Sequence, residues 1–146
     1  MRDRAGIILI EEDKLALIER RRTGRHYFAF PGGGIDQGES PEQTAIREAE
    51  EELGIRVEIK QKVAEVIFNG KTQHYFLVEK ISGEFGTGTG EEYKDYNPLH
   101  GTFIPLLMPL ADVLNNNVLP HALAELVVHS AKEGWTVEPV IIIEKE

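Results

Sequence analysis

The chain contains no cysteine. That excludes a disulfide framework, a zinc–thiolate site and a thiol nucleophile. No apolar run approaches the roughly 20 residues a helix needs to cross a bilayer. The residues from Met1 onward enter an apolar strand pattern without the organisation of a signal peptide. The expectation is a soluble cytoplasmic protein with no membrane partner. Cations are scarce too: 16 Lys and Arg against 25 Asp and Glu leave a net charge of −9. Nonspecific binding to a nucleic-acid polymer relies on neutralising phosphates with Lys and Arg, so no such partner is expected. A small phosphorylated substrate would need only a local cation. Repeats, low-complexity tracts and linkers are missing as well, and 146 residues suffice for one domain with its own core. We expect a single domain over 1–146, with a homodimer open to it.

Ala5 to Ile10 and Leu15 to Arg20 read as strands around the polar turn Glu11 to Lys14. Ile55, Val57 and Ile59 alternate with charged residues, the period of a half-buried strand. Val63 to Phe68 and Gln73 to Val78 flank Asn69-Gly70, a pair that tolerates the positive φ angles of a type I′ turn. Thr102 to Leu107 reads as a strand that Pro105 confines to an edge or a bulge. From Pro120 to Gly134 a helix is expected, with Leu123, Leu126, Val127 and Ala131 on its inner face. Thr136 to Ile143 is a last strand interrupted by Pro139. Strands, helix, strands, helix, strand make an α/β protein with a mixed sheet and helices on its two faces.

The informative segment is 33–55. Ser40 suits an N-cap, Pro41 the first helical position, Gln43 completes a capping box and Gly54 is a C-terminal stop, so a helix is expected from Pro41 to Leu53. At roughly 100° per residue, Glu48, Glu51 and Glu52 fall in one arc, with Ala45, Ile46, Ala49 and Leu53 on roughly the opposite side. Glu50 points away from both. Neighbouring carboxylates resist ionising together unless a cation compensates them. All-oxygen ligands select a hard ion. Mg²⁺, which takes one or two carboxylates and completes its shell with water and phosphate oxygens, is the first choice, with Mn²⁺ behind it. An acid-rich helix face is by itself more often a solvated surface than a metal site.

The surrounding spacing reverses that preference. Gly33, five residues, Glu39, seven residues, then Arg47, Glu48, Ala49, one residue, Glu51, Glu52, one residue, Gly54 and Ile55 resembles the Nudix box at every defined position. Phe30, Pro31 and Gly32 look like its usual lead-in, and Ala49 departs from the family only in being smaller than its common aliphatic residue. The resemblance implies an α/β/α sandwich, and a metal held by Glu48, Glu51 and Glu52 with help from the carbonyl of Gly33. It implies that Arg47 and Glu39 hold loop and helix in position. The general base in this family is a box glutamate or an acid from a later loop, where this chain offers Glu91 and Glu92. The catalytic set is thus Glu51, Glu52, Arg47, Glu91 and Glu92.

The chemistry expected is hydrolysis of a diphosphate linkage in a nucleotide or nucleoside diphosphate derivative. A nucleoside triphosphate pyrophosphohydrolase is favoured, with oxidised deoxynucleotides among its substrates. The alternatives are hydrolysis of dinucleoside polyphosphates or ADP-sugars, or a silent nucleotide-binding sensor module. Glu91 and Glu92 follow the glycines Gly86, Gly88 and Gly90, which are not a dinucleotide fingerprint because no suitable helix follows. Arg20, Arg21, Arg22, Arg25 and His26 form a basic cluster, which either steers a polyphosphate or is a solvated loop between strands. Tyr27 and Phe28, or Tyr93 and Tyr96, are candidates to stack on a base, though aromatic residues in strands are more often core.

Overall fold

The computed structural model describes residues 2–88 and 101–144. Strands β1 (Arg4–Glu11) and β2 (Lys14–Arg22) are joined by a turn at Glu12 and Asp13, both at positive φ. β3 (Arg25–Ala29) and β4 (Gly32–Gly34) follow, then helix α1 (Pro41–Leu53), β5 (Ile55–Phe68) and β6 (Lys71–Gly83). The chain ends with β7 (Ile104–Pro109), the short α2 (Leu110–Val113), β8 (Val118–Leu119), α3 (His121–Glu133) and β9 (Val140–Glu144).

The strands form one mixed sheet in the order β8-β3-β2-β1-β6-β5-β9, with β4 beside β1 and β7 beside β2. β1 runs parallel to β6 and antiparallel to β2 and β4. Its apolar run is continuous because both faces are covered: Ile7 and Leu9 pack with α1, while Ile8 packs with α3. Each of these side chains is almost fully buried, worth about 1.5–3 kcal/mol apiece. The helices therefore lie on opposite faces of the sheet, the α/β/α arrangement expected from the element order.

Three expectations need adjustment. The segments after α1 form a single strand of 14 residues, whose register against β6 shifts at Arg56/Val57, Ile59/Gln61 and Lys62/Ala64. Those irregularities break the period of two that would have revealed its length. The inner face of α3 is Leu123, Ala124, Val127 and Ser130, with Leu126 half-buried and Ala131 exposed. The basic cluster is not a loop: Arg20 to Arg22 end β2, Arg25 and His26 begin β3, and only Thr23 and Gly24 turn the chain, both at positive φ. Among the described residues the proline-bearing β7 pairs with β2 alone, in keeping with the edge position Pro105 favours.

Candidate functional site

Helix α1 is built by the signals at its ends. The Ser40 hydroxyl accepts from the Gln43 N–H at 3.1 Å, and Gln43 Oε1 accepts from the Ser40 N–H at 2.8 Å. Gly54 stops the helix in the left-handed region at φ 75. The acidic and apolar arcs prove to be adjoining rather than opposite. Glu48 and Glu52 are 7% and 2% exposed and share the buried side with Ala45, Ala49 and Leu53, while Ile46 is 37% exposed. The cause is the glycine strand β4, which lies over the helix and encloses both carboxylates. Gly32 N–H donates to Glu52 Oε1 at 3.0 Å. A Cβ on Gly33 would overlap the Glu48 carboxylate, so any other residue there must displace that side chain. Glu50 is exposed, as expected.

Arg47 organises the charges. Its Nε donates to Glu39 Oε2 at 2.7 Å and its Nη2 to Glu39 Oε1 at 3.0 Å, a two-pronged pairing. The same Nη2 donates to the Gly34 carbonyl at 3.2 Å and pairs with Asp36 at 3.3 Å. Nη1 lies between two box acids, 3.0 Å from Glu48 Oε1 and 3.2 Å from Glu51 Oε2. Glu39 also accepts from the Thr44 hydroxyl at 2.7 Å and the Asp36 N–H at 3.1 Å. Chiefly through the Arg47 hydrogen bond, its carboxyl is pulled down to about 2, and the Arg47 guanidinium is raised in turn. Helix and glycine loop are thus tied by one guanidinium.

Among the described residues, no three His, Asp or Glu side chains stand in the arrangement of a metal shell. The Arg47 guanidinium lies between Glu48 and Glu51 as a resident cation. The donor set nevertheless suits a hard ion, since Glu48, Glu51 and Glu52 project beside β4 with no nitrogen or sulfur ligand among them. Glu51 retains 42% of its side-chain exposure and borders an open groove, which leaves it room to turn from Arg47. Glu91 and Glu92, with Tyr93 and Tyr96, lie outside the described residues. The segment leading to them docks on the end of α1, where Gly86 N–H donates to the Leu53 carbonyl at 2.9 Å.

Beyond β4, on the face of the sheet away from α1, lies a cavity of about 590 Å³. Its apolar walls are Phe30, Val66, Phe68, Leu119 and Pro120. Arg4 stands between cavity and glycine strand, with Nη2 3.4 Å from the Gly32 carbonyl. Gln73, Tyr75 and Glu144 supply further polar groups, and Arg25 lines the rim with its guanidinium 4.9 Å from the Tyr27 ring centre. Sequence reasoning missed Arg4, Gln73 and Glu144. They come from three strands that meet only in the sheet, so no local spacing could have united them. Of the aromatic candidates, Phe28 is core; Phe30, noted only as lead-in, belongs to the same core and also lines the cavity.

A family model described as the NUDIX domain matches residues 1–122. The chain is 54% identical over 44 residues to an RNA pyrophosphohydrolase of Pseudoalteromonas translucida, a stretch covering 30% of this chain and 26% of the relative. It is 37% identical over 83 residues to the 8-oxo-dGTP diphosphatase of Escherichia coli, covering 55% and 52%. The chain thus spans from about a quarter to about half the length of these relatives. Among solved structures, a Nudix hydrolase from Nitrosomonas europaea superposes with a TM-score of 0.75 at 20% identity, over 99% of this chain and 79% of the other. A MutT structure from work on Aliivibrio salmonicida and Vibrio cholerae does so at 0.68 and 22%, over 88% and 97%. At these identities the likeness is one of fold. No helix among the described residues is long and apolar enough to cross a membrane.

Proposed function

The chain belongs to the Nudix family, and on that premise we propose that it hydrolyses a diphosphate linkage in a nucleotide, nucleoside triphosphates being the favoured substrates. The observation that carries this reading is one of adjacency. The carboxylates of α1 abut the glycine strand β4, and on the other side of that strand Arg4 opens onto an apolar cavity. A ligand with an apolar ring system at one end and a polyphosphate at the other matches that layout.

Glu48, Glu51 and Glu52, with the Gly33 carbonyl, would hold Mg²⁺ or Mn²⁺. Such an ion neutralises phosphate charge and lowers the pKa of a bound water. Gly32 N–H keeps Glu52 oriented through Oε1. Arg47 holds Glu39 and the glycine loop against the helix, and it takes no part in bond breaking in this reading. Glu91 and Glu92 are retained as candidates for the base. Retention of all three box acids favours an enzyme over a silent sensor, because a module that only binds has no need of a complete set.

A second substrate class, a phosphorylated RNA 5′ end, is favoured by Arg25, which lines the cavity rim and has no ion-pair partner among the described residues. The relatives named as RNA pyrophosphohydrolases are consistent with it. The deciding experiment measures Mg²⁺-dependent release of phosphate or pyrophosphate from a panel of nucleotides and 5′-triphosphorylated RNA. Turnover should vanish in Glu51→Gln and Glu52→Gln while the circular dichroism spectrum is unchanged; activity retained in both variants rejects the assignment.

A further inference from the structure

We infer that Glu144 is the specificity determinant of the cavity and that it selects a guanine-type base. This deepens the proposed function and rests on reading the cavity as the nucleoside end of the site.

The position of the side chain follows from strand parity. Along β9, Ile141 and Ile143 are 54% and 70% exposed, so they face outward. Val140, Ile142 and Glu144 face the other way, and Ile142 packs against the α3-side core. Glu144 is the next residue on that inner row, beyond the core and at the cavity wall. Its partner across the ladder is Phe68, itself a wall of the cavity. Among the described residues the Glu144 carboxylate has no ion-pair partner. A half-buried carboxylate set beside Phe68, with no ion-pair partner among the described residues, has acceptors to satisfy.

The distance is suitable. Arg4, Gln73, Val66 and Ile142 form one row across β1, β6, β5 and β9, and Gly34 of the motif is the register partner of Arg4. Three strand spacings separate β1 from β9, about 14 Å. That is the scale of a nucleotide from the edge of its base to its phosphates. A ligand whose phosphates lie at β4 therefore brings its base to Glu144, with Phe68 beside it.

The hydrogen-bond chemistry then discriminates among bases. An ionised carboxylate only accepts, and its two oxygens match two adjacent donors. The Tyr75 hydroxyl donates to Gln73 Oε1 at 2.9 Å, so the free hydrogen-bonding capacity of Gln73 is its NH₂ group. The cavity thus offers paired acceptors at one place and a donor at another. Guanine is the common base whose pairing edge carries two adjacent donors, N1–H and N2–H, beside an acceptor, O6. Adenine, cytosine and thymine each present an acceptor where the second carboxylate oxygen would lie. The 8-oxidised form of guanine keeps the same edge, so Glu144 accepts both.

The test titrates the metal-free full chain with GMP and with AMP by calorimetry, which reads the base subsite independently of turnover. GMP should bind roughly tenfold or more tightly than AMP. In Glu144→Gln that preference should collapse through weaker GMP binding with AMP unchanged, and 8-oxo-GMP should lose as much as GMP. Glu138→Gln, an exposed acid outside the cavity, should bind as wild type does. Equal binding of the two nucleotides, no GMP binding at millimolar concentration, or an unchanged ratio in a folded Glu144→Gln protein would overturn the inference. Selective GMP binding without hydrolysis of any substrate would instead sink only the proposed activity. Turnover with no base preference would sink only the role of Glu144.

Discussion

Arg47 grips Glu39 from two sides of its guanidinium, through Nε at 2.7 Å and Nη2 at 3.0 Å, across eight positions of sequence. The pair closes the loop between β4 and α1, because the same Nη2 reaches the Gly34 carbonyl. Lysine would keep the charge but lose the planar fork. Arg47→Lys is therefore expected to lower stability by about 1–2 kcal/mol. Urea unfolding measures this, and a loss no larger than for an exposed arginine such as Arg56 would show that the fork contributes nothing special.

The Glu39 carboxyl sits at about 2 against an ordinary 4.5, so the folded state holds its proton more weakly than the unfolded chain does. The resulting stabilisation is complete above pH 4.5 and is lost as the pH falls toward 2. Glu39→Gln removes that dependence. Wild type minus variant, compared by urea unfolding between pH 2 and 6, should shrink steadily on acidification; a difference constant over that range would refute the coupling.

Much of the site was legible because its signals are local. Ser40, Gln43 and Gly54 fix the helix within one turn of each end, and Asn69 and Gly70 adopt the positive φ angles their identities suggest. The spacing of Glu48, Glu51 and Glu52 identified the acids but not their burial. That burial depends on β4, a three-residue strand of glycine with no side-chain pattern to read. β3 and β8 were hidden for related reasons: one begins with Arg25 and His26, and the other has only two residues. The cavity was the least legible, since Arg4, Gln73 and Glu144 come to line one cavity only through the pairing of β1 with β6, β6 with β5 and β5 with β9.

Tyr75 makes an alkaline prediction. Burial pushes its phenol from 10.0 up to about 12, so the unfolded chain loses this proton first. Its contribution is present below pH 10 and is lost as the pH climbs toward 12. Tyr75→Phe should flatten that part of the stability profile, measured as the difference from wild type so that other groups cancel. It should also cost about 1 kcal/mol at neutral pH through the lost hydrogen bond to Gln73. An unchanged alkaline slope would mean that the phenol ionises as freely in the folded protein as in the unfolded chain.

Gly33 and Glu48 supply the most direct test of the arrangement around the box. A methyl group at Gly33 would meet the Glu48 carboxylate, whereas at Gly38 it would meet nothing within 4 Å. Gly38 has φ +85, so alanine there carries only a backbone penalty of about 1 kcal/mol. Gly33 lies outside the positive-φ region, so the cost of Gly33→Ala, about 1–3 kcal/mol, should come from the displaced carboxylate. In a Glu48→Ala background that cost should largely disappear, which a double-mutant cycle in urea detects as a coupling energy. If Glu48 is a metal ligand, Gly33→Ala should also weaken Mn²⁺ binding by calorimetry while Gly38→Ala leaves it intact. Additive stability effects would show that glycine at position 33 serves something other than the carboxylate above it.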